Sequence, residues 1–510
     1  MADIVLATLN AKFIHAAFGL RYLLANLGEL RSRAVLLEFD LQPRPVEIVE
    51  RVLAHAPRIV GLGVYIWNVR ELTEVVALLK RLRPDLKVIL GGPEVSHEIE
   101  EQEIVRLADH VIPGEADVAF AGLCRVLLAG GAEPGKILSA ALPELDGLRL
   151  PYDEYDDRDI AHRIIYVEAS RGCPFECEFC LSSLDVPVRQ FPLARFLAAM
   201  QGLLARGVRH FKFVDRTFNL NLRVTSEILD FFLARLVPGL FLHFEVVPDR
   251  LPPALRDRLR RFPAGALQFE VGIQTFNPEV AARIHRRQDD GRIEDHLRFL
   301  REQTGVHVHA DLIFGLPGET LESFAAGFDR LVRLRPHEIQ VGLLKRLRGT
   351  PIIRHDAAWG MVYAPRAPYE LLENKLLDFA TVQRVRRFAR FWDLVANSGR
   401  FPRTGPLIRA EAPSAFAAFL RFSDWAYARA GRQHAIGLPR LAGMLAEYLT
   451  GPGGLRETLV RAEVEADLRL AGAGSSADTG VPGRQARHRQ VAEVPRQTSV
   501  EIGRRSGASG

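Results

Sequence analysis

An α/β chain of three successive parts is predicted: a doubly wound parallel sheet, a partial (β/α)6 barrel, and a helical domain. Three observations predict it. Short β-branched runs alternate with segments of helical period as far as Leu344. A stretch rich in Pro, Gly and Asp divides that alternation in two, and after about Pro365 only the helical period remains. The 510 residues, 48% of them apolar, are enough for two or three domains with large cores.

In residues 1–140 the runs IVLAT, AVLLEF, IVGLGVYI, VIL and HVIP are each followed by a helical segment, which predicts a Rossmann-like sheet with crossover helices. Such sheets bind ligands beyond the carboxyl ends of their strands, here near Thr8–Gly19, Tyr65–Asn68, Gly91–Ser96 and Gly114–Asp117. Gly91 and Gly92 would let backbone approach a ligand closely. Residues 141–160, within PELDGLRLPYDEYDDRD, read as a linker.

Residues 161–364 hold the second series: IIYVEAS, FKFVD, FLHFEVV, LQFEVGIQ, VHVHADLIF and HEIQVGLL. Six βα units fall short of the complete eight, so a partial barrel is expected. Successive side chains of a strand point to opposite faces. One face collects Tyr166 and Glu168, His243 and Glu245, Gln268, Glu270 and Gln274, His307, His309 and Asp311, and Glu338 and Gln340. Branched apolar side chains normally fill a barrel, so a wall this polar predicts a lumen that encloses ligands. Residues 365–465 read as wholly helical, and 466–510, Gly-, Ser- and Arg-rich, as a disordered tail.

Composition restricts the partners. The net charge of +5 is small for this length and partly carried by the tail, which gives little reason to expect nucleic acid. Arg384, Arg386, Arg387 and Arg390 read as a solvated helix face. The opening MADIVLATLNAKF lacks the pattern of a signal peptide, and no apolar run approaches the roughly 20 residues that span a bilayer. The expectation is a soluble cytoplasmic protein with no membrane partner.

Of four cysteines, three lie in Cys173-Pro-Phe-Glu-Cys177-Glu-Phe-Cys180, directly after the first barrel strand. This is a poor disulfide framework and a good metal-binding one in a reducing compartment. Three thiolates on a tight loop can hold three corners of a cubane cluster and leave the fourth iron without a protein ligand. That open iron can chelate the amino and carboxylate groups of a methionine moiety. A zinc knuckle or buried structural thiols are the alternatives, although zinc usually takes four ligands. Cys124, in AGLCRVLL, reads as a small buried hydrophobe without a role.

At the cysteine motif the chain resembles the radical S-adenosylmethionine superfamily. Glu168-Ala-Ser-Arg-Gly-Cys173 is similar to the family's approach to its cluster loop, and Phe179 matches the aromatic before the third cysteine. The resemblance implies a [4Fe-4S] cluster on Cys173, Cys177 and Cys180, and S-adenosyl-L-methionine as its partner. Asp215, in Val214-Asp215-Arg216-Thr217, resembles the acidic residue that receives the methionine amino group, without the Gly pair the family often has there. Glu245, and Glu270 with Gln274, resemble positions reaching the ribose and the methionine carboxylate, and Gly315 opens a segment, Gly315-Leu-Pro317-Gly318-Glu319, similar to the adenine-side loop. His307 and His309 have no counterpart and read as packed or substrate-facing.

The first domain resembles the cobalamin-binding domain of the cobalamin-dependent branch. Gly63 and Tyr65, followed by Gly91 and Gly92, have the spacing of the loops that line the cobalamin nucleotide tail. The Asp-x-His-x-x-Gly signature is absent, which leaves the lower cobalt ligand open; His15 lies in the right loop but reads as a surface or helix-start histidine. Trp67 would shield the corrin face or pack against the barrel. With its helical C-terminal segment the chain looks like an uncharacterised subgroup. The resemblance implies C-methylation, or a related modification, of a small-molecule substrate through a 5′-deoxyadenosyl radical, with a reducing donor such as flavodoxin or ferredoxin. A non-methylating rearrangement, cyclisation or sulfur insertion, RNA modification, and a non-catalytic iron–sulfur sensor or scaffold remain open at this level.

Overall fold

The computed structural model describes residues 2–184, 187–410 and 412–476. Strands β1 (Ile4–Leu9), β2 (Ala34–Phe39), β3 (Ile59–Gly63), β4 (Lys87–Gly91) and β5 (His110–Ile112) form a parallel sheet in the order β2-β1-β3-β4-β5. Helices Pro45–Leu53 and Val69–Leu82 cover one face with Ile48, Val49, Leu72 and Val75. Phe18–Ala25 and Ala119–Ala129 cover the other with Leu20, Leu24, Phe120 and Leu123. Burial on both faces explains why β1 reads as a nearly continuous apolar run. Gly92, at φ +106°, lets the chain leaving β4 pass the backbone of Val64; a Cβ there would stand 2.5 Å from the Val64 carbonyl oxygen.

The second sheet is parallel and open. It comprises β6 (Ile165–Val167), then, beyond a two-stranded ribbon of β7 (Ser170–Arg171) and β8 (Arg189–Gln190), β9 (His210–Phe213), β10 (Phe241–Val246), β11 (Leu267–Gln274), β12 (His307–Phe314) and β13 (Glu338–Leu343). The order β13-β12-β11-β10-β9-β6 is that of a six-stranded partial barrel. On β12 burial alternates strictly: Val308, Ala310, Leu312 and Phe314 pack beneath the helices, and His307, His309 and Asp311 face the lumen.

An open barrel has two edges with unpaired backbone, and side chains cap both. At β6 the Tyr155 hydroxyl donates to the Tyr166 carbonyl (3.0 Å) and accepts from the Tyr166 N–H (3.2 Å). The Tyr152 hydroxyl does the same for Glu168, at 3.3 and 3.2 Å. At β13 the Asn397 amide accepts from the Ile339 N–H (3.1 Å) and donates to its carbonyl (2.9 Å). Residues 141–160 are therefore a packed strap with Leu145, Leu148, Tyr152 and Tyr155 buried, where the sequence reads as a loose linker.

The C-terminal region is helical, but not from Pro365. Strands β14 (Val362–Tyr363) and β15 (Leu371–Glu373) pair first, and the Leu371 N–H donates to Leu344 at 2.8 Å, because Leu371 is drawn into an apolar cluster with Leu316, Leu344 and Ile352. Helix Phe379–Trp392 starts after Asp378, whose carboxylate caps Thr381 at 2.8 Å. Phe388 and Trp392 of this helix and Phe416 of Ala415–Ala430 pack on Phe328 of barrel helix Leu321–Leu334, so barrel and helices share one core. Arg384 pairs with Asp424 at 2.6 Å, Arg386 pairs with Glu370, and Arg387 lies over the Tyr427 ring, so these cations, still partly exposed, also have partners within the chain.

The last helix, Glu457–Ser476, runs past residue 466, where the sequence predicts a disordered tail to begin. The reason is Asp467, fully buried, which accepts from the Thr404 N–H (2.8 Å) and hydroxyl (2.6 Å). Residues 477–510 lie outside the described residues. No helix among the described residues is long and apolar enough to cross a membrane.

Replacing Tyr155 by Phe leaves the backbone N–H and C=O of Tyr166 without partners at a buried edge. A loss of about 1–3 kcal/mol in unfolding free energy is expected, read from urea denaturation. A variant as stable as the parent would refute the edge-capping role.

Candidate functional site

The carboxyl ends of the two sheets face each other across the domain seam. Near β1 and β2, Arg21 is buried (2% exposed) and pairs with Glu38 at 2.6 Å and with Asp159 of the strap at 2.5 Å. Arg163 joins the same two carboxylates at 2.8 and 3.2 Å. Beyond β4, Glu94 and Glu98 receive Arg348 at 3.0 and 3.1 Å, and the Tyr369 hydroxyl donates to Glu94 at 2.5 Å. Beyond β5, Glu115 and Asp117 receive Arg171, two residues before Cys173, at 2.5 and 3.0 Å.

The ligand loops of the first domain thus line the barrel mouth. Asn68 donates to Thr8, Leu9 and Gly63 and accepts from the Tyr65 N–H, which fixes the loop after β3. Tyr65 and Trp67 stack at 4.5 Å, and the Trp67 indole donates to the Leu9 carbonyl. Tyr65 and Gly91 stand half-buried at this edge; Gly63 is fully buried and Gly92 is fixed by Val64. His15 is no surface histidine: its Nδ1 meets the Tyr166 hydroxyl of the barrel at 2.7 Å, and burial, followed by the charge of Lys212, pushes its pKa down to about 4.

Cys173 and Cys177 are buried and Cys180 half-buried, all as free thiols. Burial pushes the Cys173 and Cys177 thiols up, and the neighbouring sulfurs add to it, so three thiolates on this loop need cationic charge beside them. Arg286 supplies part of it, with Nη1 3.6 Å from the Cys177 sulfur while its other nitrogens bind the carbonyls of Gly272 and Ile273. Among the described residues no three His, Cys, Asp or Glu side chains gather round one point as for a single metal ion. A cubane does not require that, since its thiolates bind different irons. The donor set and the charge beside it fit a cluster.

The loop is anchored from below. Phe179 packs against an apolar cluster that includes Val280, Ile284 and Leu316. The buried Glu178 carboxylate receives His355 at 2.6 Å, His285 at 3.3 Å and Arg354. Asp215, also buried, accepts from the Ser170 hydroxyl (2.6 Å) and the Ala169 N–H (3.0 Å), so it braces the approach to the cysteines; burial pushes its pKa up to about 6. It borders a cavity of about 590 Å³ with Ser170, Gln190, Thr217 and Phe218. Gly315, at φ +93°, turns the chain out of β12 beneath Leu371.

The lumen wall is polar as the alternation predicts, and its deeper layer is internally paired. Glu270 receives His243 at 3.0 Å and Lys212 at 3.5 Å. Burial opposes the Glu270 charge, but those partners outweigh it and hold the carboxyl well below its usual range. His309 lies between Asp311 (3.1 Å) and Glu338 (3.4 Å), whose charges overcome burial and raise its pKa. His307 meets Glu338 at 2.7 Å. Glu245 takes Arg216 at 3.0 Å. Nearer the mouth two buried acceptors, Gln274 Oε1 and Glu319 Oε2, have no donor among the described residues, a demand that a hydroxyl- or amine-bearing ligand would meet.

Sequence reasoning missed Arg171, Arg216, Glu178 and Arg286. Glu178, a carboxylate between two cysteines, was the one visible signal; the arginines acquire meaning only from distant partners.

Family models match the chain in three stretches: B12 binding domain over residues 4–124, Radical SAM superfamily over 167–331, and Protein of unknown function (DUF4080) over 357–470. An uncharacterised methyltransferase of Pyrococcus horikoshii is 23% identical over 312 residues, covering 55% of this chain and 65% of that protein. A 2-(S-pantetheinyl)-carbapenam-3-carboxylate methyltransferase of Streptantibioticus cattleyicolor is 24% identical over 393 residues, covering 67% of this chain and 56% of that protein. The chain therefore spans between about half and two thirds of the length of these relatives. The structure of the radical S-adenosylmethionine methyltransferase TsrM from Kitasatospora setae, with cobalamin and a [4Fe-4S] cluster bound, matches with a TM-score of 0.56 at 18% identity, over 72% of this chain and 76% of that one. At that identity the likeness shows the fold.

Burial, then the charge of Lys212, pushes the pKa of His243 from 6.5 down to about 4. Between those values the unfolded chain binds a proton that the folded chain refuses, so stability falls as the pH drops from about 6.5 to about 4. His243→Asn should flatten that slope in urea midpoints measured across this range. Identical slopes in parent and variant would show that His243 is not held neutral.

Proposed function

Because the chain belongs to the radical S-adenosylmethionine superfamily and carries a B12-binding domain ahead of its barrel, we propose that it is a cobalamin-dependent methyltransferase acting on an unactivated carbon of a small molecule. The observation that carries this reading is the seam: the ligand loops of the first sheet meet the cysteine loop and lumen of the second through Arg171 and His15. When bound, the cluster supplies the electron that cleaves S-adenosylmethionine to a 5′-deoxyadenosyl radical, and the corrinoid supplies the methyl group.

The residues of the chain divide the work. Cys173, Cys177 and Cys180 hold the cluster, and the Arg286 guanidinium offsets thiolate charge at Cys177. Asp215 is the acceptor for the methionine ammonium, whose charge would offset the burial that otherwise disfavours the ionised carboxylate. Gln274, with its vacant acceptor, and the turn at Gly315 receive the adenosine part. Glu245 and Glu270 sit in ion pairs with Arg216 and Lys212, and contribute to the site as those pairs rather than as free carboxylates. The loops bearing Tyr65 and Gly91 line the corrinoid, Gly63 and Gly92 shaping them from behind. The exposed positions of the cysteine loop, Pro174 and Glu176, are where a reduced carrier of flavodoxin or ferredoxin type would deliver electrons, and a reducing, cytoplasmic compartment suits that chemistry.

The test is anaerobic reconstitution with iron, sulfide and hydroxocobalamin, followed by assay for 5′-deoxyadenosine under strong reductant. Wild type is expected to form it and Cys177→Ala to lose at least about a hundredfold, the scale of removing an essential group. Absence of corrinoid in the reconstituted protein would sink the methyl-transfer reading; a cluster that forms without any 5′-deoxyadenosine would sink the radical reading.

A further inference from the structure

Two of the three thiols sit on one tight turn, closed by the Cys180 N–H donating to the Cys177 carbonyl at 3.0 Å. Glu178, inside that turn, is tied to two other segments. Its N–H donates to the Ile284 carbonyl at 3.1 Å, directly after helix Pro278–Arg283, and its own carbonyl accepts from the Ile352 N–H at 3.0 Å. Its side chain, 1% exposed, meets His355 at 2.6 Å, His285 at 3.3 Å and Arg354. Ile352, Arg354 and His355 belong to one short helical turn, Pro351–His355, that follows the barrel. Both segments are firm supports, since Ile284 and Ile352 are fully buried in one apolar cluster with Leu316 and Leu344.

We propose that Glu178 is a positioning residue for the iron–sulfur cluster: pinned to the segment that follows the barrel, it fixes the turn between Cys177 and Cys180, so that this segment helps to retain the cluster. The proposal rests on the cluster reading above. The two thiolates must reach different irons, so the turn between them has to keep one shape. An apolar side chain would pack in this place at least as well as a buried ion pair, and a carboxylate beside thiolates adds to the negative charge there. What the carboxylate contributes is location: the turn cannot lift from its support without leaving a buried charge unpaired. His355, 10% exposed, is the sheltered partner, whereas Arg354 and His285, 49% and 48% exposed, are screened by water.

Two measurements on the full chain test this, each on wild type, Glu178→Ala, His355→Ala and Asp467→Asn. The last removes the charge of another buried carboxylate, one held by Thr404 in the helical region, and serves as the comparison. In the metal-free protein, hydrogen exchange by mass spectrometry follows residues 174–181 and 350–357 against the barrel strands. In the reconstituted protein, a ferrous chelator strips the cluster while absorbance and the electron paramagnetic signal of the reduced cluster are recorded. Glu178→Ala and His355→Ala should each speed exchange in both segments, and iron loss, by about tenfold or more, the effect of losing a charge-assisted hydrogen bond, with barrel exchange unchanged. Asp467→Asn should lower the urea midpoint and leave both rates as in wild type. Wild-type exchange and iron loss in either alanine variant that folds would overturn the proposal, as would an equal effect of Asp467→Asn. If wild type itself takes up no cluster, the cluster reading fails, and the exchange measurement still decides for or against the hold on the turn.

Discussion

Charged groups taken out of water must be paired, and the seam between the two sheets is built on that requirement. Arg21, with 2% of its side chain exposed, finds one carboxylate in its own sheet, Glu38, and the other in the strap, Asp159. Removing either partner would leave a buried charge, at a cost of about 3–5 kcal/mol, whereas a docking in any other register would leave several. Arg163 shares the same two carboxylates, and Arg171 and Arg348 repeat the arrangement at other points of the same edge. Apolar contact alone would allow the domains to slide; paired charges at fixed places allow one alignment, and in it the ligand loops of the first sheet stand over the barrel mouth.

The barrel depends on its surroundings in a second way. Six strands do not close, and the backbone at β6 and β13 would present unpaired groups along both edges. Tyr152, Tyr155 and Asn397 answer with side chains that donate and accept as a neighbouring strand would. The strap and the helical region thereby become parts of the barrel. The shared aromatic core of Phe328, Phe388, Trp392 and Phe416 has the same consequence, since neither side could bury those rings alone.

Inside the lumen the polar wall divides by depth. Lys212, His243 and Glu270 pair with one another, and His307 and His309 pair with Glu338, His309 also with Asp311, so the deeper wall is held by charge pairing. Two acceptors without a hydrogen-bond donor among the described residues, Gln274 Oε1 and Glu319 Oε2, lie toward the carboxyl end, where a ligand can complete them. The floor is thus a scaffold, and the proposed site lies at the mouth.

The strands of both parallel sheets and the cysteine loop were determined by the sequence alone, because residue period, β-branching and the spacing of three thiols are local properties, whereas the short pairs β7–β8 and β14–β15 were not. The polar lumen was legible for the same reason, since alternation along a strand decides which face a side chain takes. The tertiary structure decided the partnerships. Glu270 binds Lys212 and His243, His15 binds Tyr166, and Glu115 binds Arg171 and Arg189, none of which a pattern of period or composition reveals. The strap read as a linker because Pro, Gly and Asp are frequent in it, yet two of its tyrosines complete a sheet edge. The residues after Pro365 read as helix until Leu371 was claimed by an apolar cluster, and the last helix extends because Asp467 caps a distant turn. Period and spacing act between near neighbours in the chain, whereas burial and charge pairing act between residues that only the fold brings together.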